Sequence, residues 1–253
     1  MDTATVEVAG QTARLLDVGS GPAVVVLHGW GGRIESMEPI VACLRRDFRV
    51  LALDLPGFGE SPIPQSVWGT PDYAAWVGEV VRSRGISRAH FIGHSFGGKT
   101  SLQIAGTQPE LVEKLVAVGA TGLRTPPSAS ARAKRALSRA AGAAGELGPP
   151  GRVFKQAVFK RVASPDYRDA GELRPIFVRV VNEDLSGLLP QILSPTLLIW
   201  GAQEDAVPVE HGKRMAELIP DAGLVLFEGA GHFAYLDDPG RFCRVVRHFF
   251  GAP

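Results

Sequence analysis

Apolar positions along this chain fall into two alternating patterns. Ala23–Leu27, Arg49–Leu53, Ala89–Ile92, Lys114–Gly119 and Thr196–Trp200 are short, near-continuous aliphatic runs. Runs of that kind are expected of strands buried on both faces. Between them the apolar residues recur at helical spacing, from about Ser36 to Arg46, Tyr73 to Arg84, Lys99 to Gln108, Gly212 to Ile219 and Arg241 to Phe250. Thr3–Val8 and Gln11–Val18 alternate around Gly10 and predict an antiparallel hairpin at a sheet edge, and Gly223–Phe227 predicts a late strand. Short strands alternating with helices predict an α/β fold: a mostly parallel, doubly wound sheet with right-handed crossovers.

The rhythm breaks between Gly122 and Pro190. Helical patterns continue there without a buried-type strand, punctuated by Pro126-Pro127 and Gly148-Pro149-Pro150-Gly151. Ala129–Ala144 is Ala-rich and basic, while Val153–Val162 and Leu173–Leu189 hold enough apolar residues to pack. The expected organisation is a core over residues 1–121 and 191–253, interrupted by a helical cap over 122–190.

The run Ala89-His90-Phe91-Ile92 leads straight into Gly93-His94-Ser95-Phe96-Gly97, and a helix is predicted next. A serine between glycines at a strand-to-helix junction is the signature of a nucleophile elbow. The backbone turns so sharply there that residues two before and two after the serine leave no room for a β-carbon. The following helix aims its first amides at the position where negative charge develops in acyl transfer.

Composition narrows the function classes. Of 253 residues, 45% are hydrophobic and 21% charged, the balance of a globular protein. A formal net charge of +1 predicts no global attraction to nucleic acid or to a membrane. The charge is uneven: Arg124–Ala163 holds nine Lys or Arg against one acid, Glu146. The remainder of the chain carries about −7 and would repel phosphates, which argues against nucleic-acid binding. Cys43 and Cys243 each fall in an expected amphipathic helix, so two buried free thiols are expected. The first residues show no basic-then-apolar leader, and no run of 18 apolar residues occurs. A soluble cytoplasmic protein is the expectation.

Five further stretches carry a resemblance. They are His28-Gly29-Trp30-Gly31, Asp54-Leu55-Pro56-Gly57-Phe58-Gly59-Glu60-Ser61, the elbow through Gly98, Pro195-Thr196-Leu197-Leu198-Ile199-Trp200-Gly201, and Gly229-Ala230-Gly231-His232. In this order and at this spacing the chain resembles the α/β-hydrolase fold family, in its capped serine-hydrolase branch. The resemblance implies Ser95 as nucleophile and His232 as its base. An unassisted hydroxyl is a poor nucleophile, so a third group must orient that base. The family's register places the acid at Glu204, while residue type favours its neighbour Asp205; Glu204 is preferred and Asp205 is the alternative. The resemblance also implies an oxyanion hole built from the backbone N–H groups of Trp30 and Phe96. His28 and His94 are expected to orient loops by hydrogen bonds, and Asp54 to hold a structural turn.

The implied activity is hydrolysis of small carboxylic esters through an acyl-enzyme. Thioester, lactone or carbon–carbon bond hydrolysis and cofactor-free perhydrolysis use the same groups, and a non-turnover small-molecule receptor is the alternative of another class. No cofactor or metal is expected. The expected partner is a small-molecule substrate. The basic segment reads as a solvated surface, with attraction of an anionic acyl group or carrier, through Arg132, Lys134, Arg135 and Arg139, as its functional alternative. The oligomeric state is open.

Overall fold

The computed structural model describes residues 2–124 and 165–251. Two compact units divide the chain: Met1–Leu123 with Arg179–Pro253, and Arg124–Val178. The expected helix over Ala129–Ala144 and the apolar stretch Val153–Val162 lie outside the described residues.

The larger unit is built on an eight-stranded sheet in the order β1-β2-β4-β3-β5-β6-β7-β8. Its strands are β1 (Ala4–Val8), β2 (Gln11–Val18), β3 (Ala23–Leu27), β4 (Arg49–Leu53), β5 (Ala89–His94), β6 (Val112–Val118), β7 (Thr196–Gly201) and β8 (Ala222–Phe227). The first two form the expected hairpin, β2 meets β4 antiparallel, and every later pair is parallel. The β-branched runs sit where burial on both faces selects them: Val24, Val25 and Val26 are fully buried.

Side chains alternate across the sheet. Leu16, Val24, Val26, Ile92, Val116, Val118 and Ile199 form one apolar face. It packs against Ile40, Val41 and Leu44 of α1 (Glu38–Leu44), Ala234 and Tyr235 of α7 (Ala234–Asp237), and Phe242, Val246 and Phe250 of α8 (Pro239–Phe250). The residues between them serve the other face, where α2 (Thr70–Ser83) and α3 (Phe96–Thr107) pack together and α3 covers β3, β5 and β6. Helix α6 (Val209–Leu218) covers β7 and β8. In the second unit the described residues are α4 (Pro165–Asp169), a tight turn at Gly171–Leu173 and the start of α5 (Arg174–Asn182). There the Arg174 guanidinium lies over the Tyr167 ring at 5.2 Å.

The cysteines correct the sequence reading. Cys43 on α1 and Cys243 on α8 are joined in a disulfide, with their Cα atoms 5.8 Å apart. Both helices were expected to be amphipathic, and both thiols are half-buried on faces that meet. The sequence could not show that two residues 200 positions apart become neighbours. Among the described residues no helix is long and apolar enough to cross a membrane.

Parallel register aligns the strand ends that matter. Leu27 of β3 pairs with Gly93 of β5, Gly93 with Ala117 of β6, and Gly201 of β7 with Phe227 of β8. The loops that follow therefore converge at the carboxyl ends of the strands, where open parallel sheets place their ligands.

Candidate active site

Ser95 occupies the single-residue turn between β5 and α3. Its backbone has φ 52° and ψ −109°, a left-handed conformation that costs a side-chain-bearing residue about 1–3 kcal/mol. The turn is held from several sides. Ser95 N donates to Val118 O at 2.9 Å, and Ser95 O accepts from Lys99 N at 3.0 Å and from Thr121 N at 3.3 Å. The flanking glycines are sterically required. A β-carbon on Gly93 would collide with the Gly97 carbonyl, and one on Gly97 with the carbonyls of Leu27 and His28. Gly29 lies equally close: its β-carbon would sit 3.3 Å from Ser95 Cβ and 2.8 Å from His94 Nδ1.

The loop after β7 brings an acid to a histidine. Glu204 Oε2 is 2.7 Å from His232 Nδ1, and Glu204 Oε1 accepts from Ala206 N at 2.7 Å and Val207 N at 3.1 Å. The carboxylate is wholly shielded from solvent. Burial pushes its pKa up, and the hydrogen bonds from His232, Val207 and Ala206 outweigh that, holding it below the ordinary range. Asp205, the alternative by residue type, is exposed. Gly119, at φ +50° just past β6, backs the pair: a β-carbon there would lie 3.1 Å from His232 Nδ1 and 3.2 Å from Glu204 Oε2.

Three motifs meet through two further histidines. His28 is fully buried, its Nδ1 2.7 Å from Gly29 O and its Nε2 accepting from Leu55 N at 2.9 Å. A carbonyl on one side and an N–H on the other require the neutral Nδ1–H tautomer. Burial agrees, lowering the His28 pKa. His94 donates from Nε2 to His232 O at 3.0 Å, and its ring lies 4.6 Å from the His232 ring. Burial, then the neighbouring His232, push the His94 pKa down to about 3, so it stays neutral at working pH. Both histidines thus orient loops, as expected. Asp54 holds a turn, also as expected: it is buried and accepts from Ile34 N at 2.7 Å and Glu60 N at 2.9 Å.

Trp30, Phe58 and Phe96, the residue after Ser95, form an aromatic cluster. The Trp30 ring is 4.8 Å from Phe58 and 5.6 Å from Phe96. Two apolar side chains near the histidine escaped the sequence reading. Phe233 and Leu236 are 46% and 49% exposed, and the Phe233 ring lies 5.3 Å from that of His232. Exposed bulky hydrophobics immediately after the Gly-x-Gly-His motif were the available signal. Buried Lys99 was missed too, because a lysine in an otherwise apolar helix looks like a solvated position. Arg132, Lys134, Arg135 and Arg139 lie outside the described residues.

Comparison with known proteins identifies the family and the fold. The sequence model described as "Alpha/beta hydrolase family" matches residues 24–245. A putative carbamate hydrolase of Pseudomonas savastanoi pv. phaseolicola is 32% identical over 254 residues, covering 91% of this chain and 94% of its own. A pimeloyl-acyl-carrier-protein methyl ester esterase of Aeromonas salmonicida is 28% identical over 252 residues, covering 92% and 97%. The crystal structure of a hydrolase from Pseudomonas aeruginosa PA01 superposes with a TM-score of 0.78 at 25% identity, covering 99% of each chain. The chain belongs to the alpha/beta hydrolase family and is a hydrolase of that fold.

Proposed function

We propose that this protein is a serine hydrolase of small carboxylic esters acting through an acyl-enzyme at Ser95. The single observation that carries the reading is the 2.7 Å contact between His232 Nδ1 and a Glu204 carboxylate locked by two backbone N–H groups. A carboxylate so fixed holds His232 with Nδ1 protonated, which leaves Nε2 free to accept a proton. His232 takes the Ser95 hydroxyl proton as Oγ attacks the ester carbonyl. The tetrahedral oxyanion is received by the N–H groups of Phe96 and Trp30, donors that act most strongly on the charged intermediate. Collapse expels the alcohol, protonated by His232. A water deprotonated by the same imidazole then releases the acid and restores Ser95.

Carbamates are the second reading, favoured by the putative carbamate hydrolase of 32% identity. A carbamate carbonyl meets the same nucleophile and oxyanion donors, and the intermediate is a carbamoyl-enzyme. Labelling with a fluorophosphonate tests the shared claim. One phosphonyl group should attach per chain, on the peptide containing Ser95, and Ser95→Ala should abolish it. Attachment elsewhere, or none, would remove the serine-hydrolase reading.

A further inference from the structure

Lys99 is a buried cation that the proposed chemistry leaves unused. It is 2% exposed on α3, one helical turn beyond Ser95, and its own amide donates to Ser95 O. Its ammonium faces residues 180–183 of the same unit. Nζ donates to Val180 O at 2.5 Å and to Glu183 O at 2.9 Å, the last carbonyls of α5 and its exit. Val180 O also accepts from Glu183 N at 3.3 Å, and a helix carboxyl end favours a cation.

The same stretch is fastened to the residues that lead into α2. Glu183 Oε2 accepts from Thr70 N at 2.9 Å, Arg179 Nη1 donates to Val67 O at 2.5 Å, and Arg179 Nη2 lies 3.2 Å from Asp72 Oδ2. The outgoing chain is tied to the elbow as well. Thr121 N donates to Ser95 O, and Gly122 O accepts from Leu185 N at 2.8 Å, so the two passages are joined to each other. Gly122 permits that approach, since its φ of +145° suits glycine and a β-carbon there would lie 3.3 Å from Leu185 Cδ1.

We propose that Lys99 is a positioning residue that fixes this neck to the nucleophile helix. The neck reaches the elbow through the Leu185 N–Gly122 O and Thr121 N–Ser95 O bonds, so its placement bears on how Ser95 is held. The inference rests on Ser95 being the nucleophile for its kinetic readout alone. A lysine nitrogen keeps enough N–H groups for both carbonyls whether charged or neutral. Methionine fills the same volume with none, leaving Val180 O with Glu183 N alone and the Glu183 carbonyl without its Lys99 donor.

Lys99→Met tests the proposal by steady-state hydrolysis of p-nitrophenyl butyrate together with hydrogen exchange of backbone amides. The expected result is a kcat lowered about fivefold with KM within about twofold. The Leu185 and Thr121 amides should exchange about tenfold faster while those of β6 keep their protection. If Lys99→Met does not fold, Lys99→Gln, whose amide N–H groups sit on a shorter stem and fall short of the two carbonyls, gives the same comparison. An unchanged kcat accompanied only by a lower Tm would overturn the positioning role. So would Leu185 exchange equal to that of the wild type. Should Ser95→Ala hydrolyse the ester as fast as the wild type, the functional reading fails. The exchange measurement then decides the anchor by itself.

Discussion

Glu204 and His232 meet at 2.7 Å across two loops that are 28 residues apart, and the neighbouring Asp205 turns outward to solvent. Glu204 spends its second oxygen on two backbone amides of its own loop, which fixes the carboxylate before the histidine arrives. Glu204→Gln should therefore lower kcat by about 10³–10⁴, because an amide can hold the wrong imidazole tautomer. Asp205→Asn should stay within about twofold of the wild type, as expected of an exposed surface change. Steady-state kinetics of both variants on one ester checks the pair, and a larger loss in Asp205→Asn would reverse the assignment.

His94 is held neutral by burial and donates to the backbone of His232. His94→Phe keeps a ring of similar shape and loses that donor, leaving the His232 carbonyl unmet. The expected cost is about tenfold in kcat/KM, the scale of one lost buried hydrogen bond in positioning the base. Kinetics at the wild-type Tm offset checks it: an unaltered kcat/KM would mean the loop is held without His94.

The disulfide closes a loop of about two hundred residues between α1 and α8. Chain-entropy reasoning gives such a cross-link up to about 5 kcal/mol of stabilisation. Protein purified without reductant should show no free thiol when denatured. Dithiothreitol should lower Tm by several degrees, at about 2–4 °C per kcal/mol for a domain of this size. Two titratable thiols in the untreated protein would contradict the cross-link.

Lys99 also gives the pH dependence a sign. Burial lowers its pKa from the ordinary 10.5 to about 8, opposed by Glu183 and Asp184. Between those values the unfolded chain binds the proton that the folded chain has released. The group's contribution to the unfolding free energy therefore rises with pH across that window. Its full extent is on the order of 3 kcal/mol. Urea midpoints at pH 8 and pH 10 should accordingly diverge between wild type and Lys99→Met, with the wild type gaining relative to the variant. Parallel midpoints would mean that Lys99 is not buried in solution.

Much of this was legible in the chain, for identifiable reasons. Buried parallel strands declare themselves as aliphatic runs, so Ala23–Leu27 and Arg49–Leu53 were placed to the residue. Helix starts were less visible. The helix α3 begins at Phe96 rather than Lys99, because the elbow imposes it where propensity and glycine content argue against it. The short helix Ala234–Asp237 is a single turn, too brief for periodicity to reveal. Local motifs located Ser95 and His232. Register favoured Glu204 and residue type Asp205; the contact with His232 is made by Glu204, while the loop turns Asp205 to solvent. The Cys43–Cys243 bond and the Lys99 anchor depend on contacts between distant segments, which no local pattern encodes.

Stopped-flow hydrolysis of p-nitrophenyl acetate and butyrate, comparing the wild type with Ser95→Ala, tests the central claim most directly. The account predicts a burst of nitrophenol near one equivalent, followed by slower turnover, with both phases abolished in Ser95→Ala. Equal rates in the two proteins would contradict an acyl-enzyme at Ser95.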